Sequence, residues 1–277
     1  MSLAQRSESF EPMAYVQIDD VRLAYDDVGS GPELLLLHGY PFNRSLWAEQ
    51  VKALSGTFRV ITPDLRGFGE SEFSEDVSTM NRMAQDIARL MDALEISNAT
   101  VGGLSMGGYV VFTFYKQFAS RVRGLVLADT RPQADTEEAK QVRTQQSEQI
   151  LASGMAGVTD AMLPKLLTPE TVTKRPEVVK QLRDMMLKTK PGGASAALRG
   201  MAAREDHTAL LPQISVPTLI LVGREDPITP LQDSEKMHDK IAGSRLVVIE
   251  NASHVSNIEQ SAIFNTELSS FLDGVND

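Results

Sequence analysis

Cysteine is absent from this 277-residue chain, which excludes disulfides, thiolate metal sites and a cysteine nucleophile. Long apolar runs are absent too. The longest, 34–37 and 219–222, fall far short of the roughly 18 to 20 residues a membrane-spanning helix needs, so both read as buried strands and no membrane partner is expected. Positive charge is in deficit, with 27 Lys and Arg against 37 Asp and Glu. A net charge of -10 would repel nucleic-acid phosphates and leaves a small molecule as the expected partner. Residues 1–12 are polar and lack the basic start and apolar stretch of a secretory signal, so they read as a flexible leader and the expected location is cytoplasmic. Composition leaves the oligomeric state open between monomer and homodimer.

What is present is an ordinary globular balance, 42% hydrophobic and 23% charged, in a chain long enough for one large α/β domain with an inserted subdomain. Two alternating stretches, 15–18 and 21–25, flank Asp19 and Asp20 and predict an opening hairpin. After a Gly-Ser-Gly-Pro turn, 34–37 is apolar on every side, as a strand buried on both faces must be. The same texture recurs at 59–62, 100–104, 125–128, 219–222 and 246–249, with helical patterns at 45–54, 79–94, 106–118, 231–241 and 258–272. That alternation predicts an α/β fold with a mostly parallel, doubly wound sheet. One segment breaks the rhythm. From 134 to 211 there are only helical patches, at 136–152, 158–167, 176–187 and 194–204. This is too long for a plain loop, so the expected division is a core of 13–133 and 212–277 with a helical cap of 134–211 inserted between two strands.

The strongest local signal is Gly103-Leu104-Ser105-Met106-Gly107-Gly108, with a strand before it and a helix after. A serine at so sharp a strand-to-helix turn is held in a strained conformation with its hydroxyl exposed, and the flanking glycines let strand and helix approach. A serine hydroxyl is a weak nucleophile until a base takes its proton. Of four histidines, His238 sits in a polar helical pattern, His207 closes the cap region, and His38 adjoins Gly39 as a loop-shaping residue. His254, between the last strand and the last helix, is placed at the carboxyl edge where Ser105 emerges. The acid that orients it is expected at Asp226, just past the strand 219–222, with Asp129 a competitor and Glu225 a weaker one. Asp129 reads otherwise as a cap at the base of the insert. Backbone N–H groups of Met106 and Tyr40, in His38-Gly39-Tyr40-Pro41, are expected to form the oxyanion hole. The block Asp64-Leu65-Arg66-Gly67-Phe68-Gly69-Glu70-Ser71 reads as a rigid turn bracing the neighbouring loop.

Together these motifs, in this order, resemble the α/β-hydrolase superfamily over about 21–272. Within it the chain is similar to the group of 3-oxoadipate enol-lactonases, cofactor-free haloperoxidases (perhydrolases) and small carboxylesterases, through the Ser105-Met106-Gly107-Gly108 elbow, Trp47 soon after the His-Gly loop, and Ala128-Asp129-Thr130-Arg131. Ser105 stands where haloalkane dehalogenases and epoxide hydrolases of this fold carry aspartate, and Tyr40-Pro41 departs from the His-Gly-Gly-Gly loop of many lipases. The resemblance implies a serine esterase or lactonase that needs no metal or cofactor. It leaves open perhydrolysis by the same triad and, in another class, a ligand receptor built on the same fold. Candidate substrate contacts are Trp47 and Phe42 on the acyl side, Arg131 for a substrate carboxylate, and Met162 among the cap methionines Met155, Met185, Met186 and Met201, whose alternative role is to pack the helices.

Overall fold

Leu34, Leu35, Leu36 and Leu37 have no polar face to turn to water, so their strand belongs in mid-sheet with helices on both sides. The computed structural model describes residues 13–276, and the leader expected over 1–12 lies outside the described residues. Its strands are β1 (Met13–Ile18), β2 (Val21–Val28), β3 (Glu33–Leu37), β4 (Arg59–Pro63), β5 (Ala99–Leu104), β6 (Val122–Ala128), β7 (Thr218–Gly223) and β8 (Arg245–Ile249). They form one sheet in the order β1-β2-β4-β3-β5-β6-β7-β8. The β1–β2 and β2–β4 pairs are antiparallel and all others parallel.

The helices are α1 (Ala48–Leu54), α2 (Met80–Ala93), α3 (Met106–Phe118), α4 (Glu137–Ser153), α5 (Ala156–Leu166), α6 (Pro169–Lys174), α7 (Pro176–Lys188), α8 (Pro191–Ala202), α9 (Leu231–Lys240), α10 (Ser256–Glu259) and α11 (Ser261–Asn276). Strand pleating divides the core in two. Leu35 and Leu37 join the side built with Met83 and Ile87 of α2 and Val110 and Phe114 of α3. Leu34 and Leu36 join the side built with Val51 and Leu54 of α1 and Phe264 and Leu268 of α11. Each fully buried leucine contributes roughly 1.5–3 kcal/mol. Between β6 and β7 run α4 to α8 with no strand among the described residues. The pattern reading missed α6, a six-residue helix that Thr168 caps by accepting from the Thr171 N–H and that Pro169 begins. It also ran two pieces together at the end of the chain, where Gln260 separates α10 from α11. No helix among the described residues is long and apolar enough to cross a membrane.

Strand order reverses around β3, which has β4 on one side and β5 on the other. At such a switch point the loops leaving the two strands diverge and open a crevice at the carboxyl edge. One side of the crevice is fixed by the 64–71 block. The Asp64 carboxylate accepts from the backbone N–H groups of Arg44 (2.7 Å) and Glu70 (2.8 Å) and pairs with the Arg44 guanidinium. The Leu65 N–H donates to His38 Nε2 at 3.0 Å, while His38 Nδ1 donates to the Gly39 carbonyl. Burial holds His38 at about 4, below the usual histidine value despite that last bond, so it stays neutral and shapes the loop.

Arg66 ties the block to α2 through a bidentate pair with Asp86 (2.6 and 2.8 Å), both side chains almost fully buried. Removing one partner of such a pair strands the other charge away from water. Asp86→Ala is therefore expected to cost about 3–5 kcal/mol, read as a lower urea midpoint; a shift under about 1 kcal/mol would show that Arg66 finds compensation from Asp20 and Glu75 at 3.7 and 4.0 Å.

Candidate active site

Ser105 sits at the first position past β5 with φ 54° and ψ -114°, in the left-handed half of the map that a residue with a side chain avoids. The surroundings over-determine this strain. A Cβ on Gly103 would fall 2.3 Å from the Gly107 carbonyl carbon, and one on Gly107 would fall 2.2 Å from the Leu37 carbonyl oxygen, so only glycine lets β5, α3 and β3 meet here. The Ser105 N–H donates to the Ala128 carbonyl (3.0 Å), and its own carbonyl accepts from Thr130 Oγ1 (2.8 Å). The residue is left almost fully buried at the carboxyl edge of the sheet, 9% exposed.

His254 reaches it from the loop after β8: Nε2 lies 2.9 Å from Ser105 Oγ, and Nδ1 lies 2.8 Å from Asp226 Oδ2. Asp226, in the turn after β7, is pinned in turn by the N–H groups of Ile228 (2.7 Å) and Thr229 (3.0 Å) on Oδ1 and by Thr229 Oγ1 (2.6 Å) on Oδ2. With Nδ1–H donated to the carboxylate, Nε2 carries the lone pair that can take the serine proton. Burial pushes the His254 imidazole down, but the charge and hydrogen bond of Asp226, with the charge of Asp129 added, outweigh it. Its net shift is upward, against a small opposing pull from Arg131. Burial likewise pushes Asp226 up, and His254 and Thr229 outweigh it, holding the carboxyl below its usual range.

The two competing acids have other work. Glu225 points to solvent. Asp129 is fully buried, but it does not cap the base of the insert. Its Oδ1 accepts from the Gly223 N–H (2.8 Å) and its Oδ2 from Ser256 Oγ (2.6 Å), so it bolts the end of β7 to the segment just past His254. Burial and the nearby Asp226 charge, only partly offset by His254, push it up to about 8. The sequence showed Asp129 at a strand end, but the partners that define its role come from residues 94 and 127 positions away.

Tyr40 and Met106 flank the serine. Met106 is the first residue of α3, where backbone N–H groups lack partners within the helix. A Cβ on Gly39 would come within 3.3 Å of Ser105 Cβ, which places the 38–40 loop against the serine. The buried Tyr40 ring meets Phe68 edge-on at 6.0 Å, and its hydroxyl is buried with no hydrogen-bond partner. The expectation that Trp47 and Phe42 line the acyl side needs correction. Both have no accessible surface, and Trp47 packs on Phe264 of α11 at 6.0 Å, because the turn Arg44–Trp47 aims the indole into the helix-covered core. Met155, Met185, Met186 and Met201 are buried packing residues, and the half-buried Met162 touches both halves of the core.

Arg131, half-buried, has only loose ion pairs with Asp135 (3.8 Å) and Asp233 (4.0 Å), and its Nε is buried without a hydrogen-bond partner. Asp135 also pairs with Arg143 and with Arg204 (2.8 Å), and Arg204 lies over the Tyr109 ring at 4.2 Å. Burial pushes the Tyr40 phenol up while the charge of Arg143 pulls it back. Three guanidinium groups against two carboxylates, Asp135 and Asp233, thus leave a single positive charge in excess beside Tyr40 and Tyr109. The sequence signalled Arg131 alone. His207 and His238 stand apart: the first contacts Thr113 Oγ1 at 3.1 Å, and the second Ser244 Oγ on the surface. No group of three or more His, Asp or Glu side chains among the described residues is arranged to hold a metal.

Comparison with known proteins places the chain in a family. The family described as alpha/beta hydrolase fold matches residues 32–261, and the chain belongs to it. A thermophilic esterase from Thermogutta terrifontis, solved with malate bound, is 39% identical and superposes with a TM-score of 0.94, covering 96% of this chain and 100% of that one. The enol-lactonase from Burkholderia xenovorans LB400 is 30% identical with a TM-score of 0.88, covering 94% and 100%. The sequence of 3-oxoadipate enol-lactonase 2 from Acinetobacter baylyi is 29% identical over 248 residues, 89% of this chain and 91% of that one.

Two predictions come from the electrostatics. A base that must be neutral, with its pKa raised above 6.5, gives a kcat/KM that falls toward acid with a midpoint above that value; a profile flat from pH 8 to about pH 5 would remove His254 from the role. Asp226→Asn is expected to lower kcat roughly 10⁴-fold. Asp129→Asn, whose amide can still accept from Gly223 and donate to Ser256, should cost less than about tenfold, and the reverse order would reassign the acid.

Proposed function

We propose that the chain hydrolyses carboxylic esters or lactones of small molecules through an acyl-enzyme on Ser105. The observation that carries this reading is the unbroken relay from Ser105 Oγ to His254 Nε2 and from Nδ1 to Asp226, at 2.9 and 2.8 Å, on a strained turn at the switch point of the sheet. The esterase and enol-lactonase relatives support it. In the first half-reaction Ser105 attacks the carbonyl while His254 takes its proton. The oxyanion forms against the N–H groups of Tyr40 and Met106. Proton transfer from His254 to the alkoxide oxygen then releases the alcohol, which in a lactone stays tethered to the acyl group. A water deprotonated by His254 attacks the acyl-enzyme carbonyl, and His254 returns that proton to Ser105 Oγ as the acid leaves. Asp226 orients the imidazole and stabilises its charged form in both halves. Losing one oxyanion donor in such a site costs roughly two to three orders of magnitude.

The helical segment 134–211 serves in this reading as the cap that encloses the substrate. Arg131 at its entrance, with the positive excess around Asp135, favours substrates that carry a carboxylate. The malate held by the Thermogutta terrifontis esterase is a small dicarboxylate.

A fluorophosphonate probe with intact-mass analysis tests the chemistry, and paired neutral and carboxylate-bearing esters and lactones test the substrate class. One covalent label lost in Ser105→Ala, with turnover falling more than about 10⁴-fold and folding intact, is the expected result. Arg131→Ala should raise KM about tenfold or more for the charged substrates alone. A folded protein that neither labels nor turns over defeats the hydrolase reading; an equal effect of Arg131→Ala on both series defeats only the carboxylate preference.

A further inference from the structure

His254 stands on a short loop whose two flanks are held by buried acids from different parts of the fold. On the C-terminal flank Asp129 takes the Ser256 hydroxyl. On the N-terminal flank Glu259, 3% exposed in α10, accepts from the Ser253 N–H at 2.6 Å through Oε2. The other oxygen of Glu259 faces away from the loop. Oε1 accepts from both the N–H (2.9 Å) and Oγ1 (3.0 Å) of Thr168, the residue that caps α6 within the helical insert. The same seam carries two more links. Ser253 Oγ lies within hydrogen-bond reach of the Lys165 carbonyl (3.2 Å) in α5 and the Glu225 carbonyl (3.4 Å) beside Asp226, and the Arg175 guanidinium donates to the Glu259 carbonyl at 2.7 Å. A stretch of the insert, 165–175, is therefore seated on the backbone next to the imidazole.

We propose that Glu259 is a positioning residue for His254, coupling the seat of the helical insert to the loop that carries the imidazole. The inference rests on the reading of His254 as general base. A single carboxyl group bridging two backbone segments fixes their separation within the narrow range of hydrogen-bond lengths. One of those segments is adjacent to a ring that must meet Ser105 and Asp226 at once. A small-side-chain cap at Thr168 would need only the hydroxyl it already has; the second acceptor bond to the Thr168 N–H, from outside the insert, goes beyond what capping α6 requires. The groups that set the charge around the imidazole are Asp226 past β7, Asp129 at the end of β6 and Arg131 just beyond it. Glu259 acts through geometry, by keeping Nδ1 on Asp226.

Two variants of the full chain test this. Glu259→Gln puts an NH₂ where one of the two N–H groups needs an acceptor, and Thr168→Val removes the Oγ1 donor on the insert side together with the cap it gives the Thr171 N–H, while leaving the Thr168 N–H on Glu259. With four histidines in the chain, the His254 ring signals can be assigned by loss in His254→Gln and titrated by NMR without any turnover. The expected result is a His254 titration displaced to lower pH in both variants, further in Glu259→Gln, with kcat there reduced roughly ten- to a hundredfold and KM near wild type. A His254 titration identical to wild type in folded Glu259→Gln, or in folded Thr168→Val should the former not fold, overturns the proposal, as does a kcat loss with the titration unmoved. Failure of the hydrolase reading would look different: the wild type itself would show neither Ser105 labelling nor ester turnover, while the ring titration would still report on Glu259.

Discussion

The hydrogen bond between His254 and Asp226 exists only because the protein spends structure on it. An imidazole and a carboxylate, both buried, would each be pushed toward neutrality by loss of water. What keeps Asp226 ionised is a set of fixed donors: two backbone N–H groups and a hydroxyl from the turn it belongs to, plus the imidazole itself. Those donors are in place because β7 ends at Gly223 and the chain must then turn. The relay is thus a property of three strand ends. β5 delivers the serine, β7 the aspartate and β8 the histidine, and the parallel register between neighbours sets their separation before any side chain is chosen.

Asp129 shows the cost of holding three strand ends together with polar groups. It joins the end of β7 to Ser256, and it sits close enough to Asp226 that two ionised carboxyls would repel in a dry environment. Burial and the Asp226 charge push Asp129 up, while His254 and Thr229 hold Asp226 below its usual range. Two neighbouring carboxyl groups are thereby shifted in opposite directions by their environments. The strain at Ser105 is supported in the same manner, from outside, by the Ala128 carbonyl and the Thr130 hydroxyl at the end of β6.

The parts of this arrangement legible in the sequence are those that depend on local pattern. Uniformly apolar segments announced β3, β5, β6 and β7, glycines on either side of Ser105 announced the turn, and strand ends announced His254 and Asp226. What stayed hidden depends on contacts made across long stretches of chain. Trp47 looked like a pocket residue because it follows the His-Gly loop closely, but its direction is set by α11, more than 200 positions later. Glu259 gave no signal beyond lying in an amphipathic helix pattern, since its partners Thr168 and Ser253 come from the insert and from the edge of the sheet. The helix α6 escaped for a related reason. Six residues carry too little periodicity to read, and it is its Thr168 cap and Pro169 start that define it.

The same distinction separates the relay from the charges around it. The residues of the relay lie at the ends of register-fixed parallel strands, whereas the positive excess near Tyr40 and Tyr109 is assembled from Arg131 after β6, Arg143 on α4 and Arg204 after α8, around the carboxylate of Asp135 with Asp233 also facing Arg131. None of those charges is dictated by the sheet. Changing any of them leaves the hydrogen bonds among Ser105, His254 and Asp226 untouched. If Glu259 does tie the insert to the histidine loop, the two layers are not independent. The segment that carries Arg143 and Arg204 is then constrained in where it sits against the loop that holds His254.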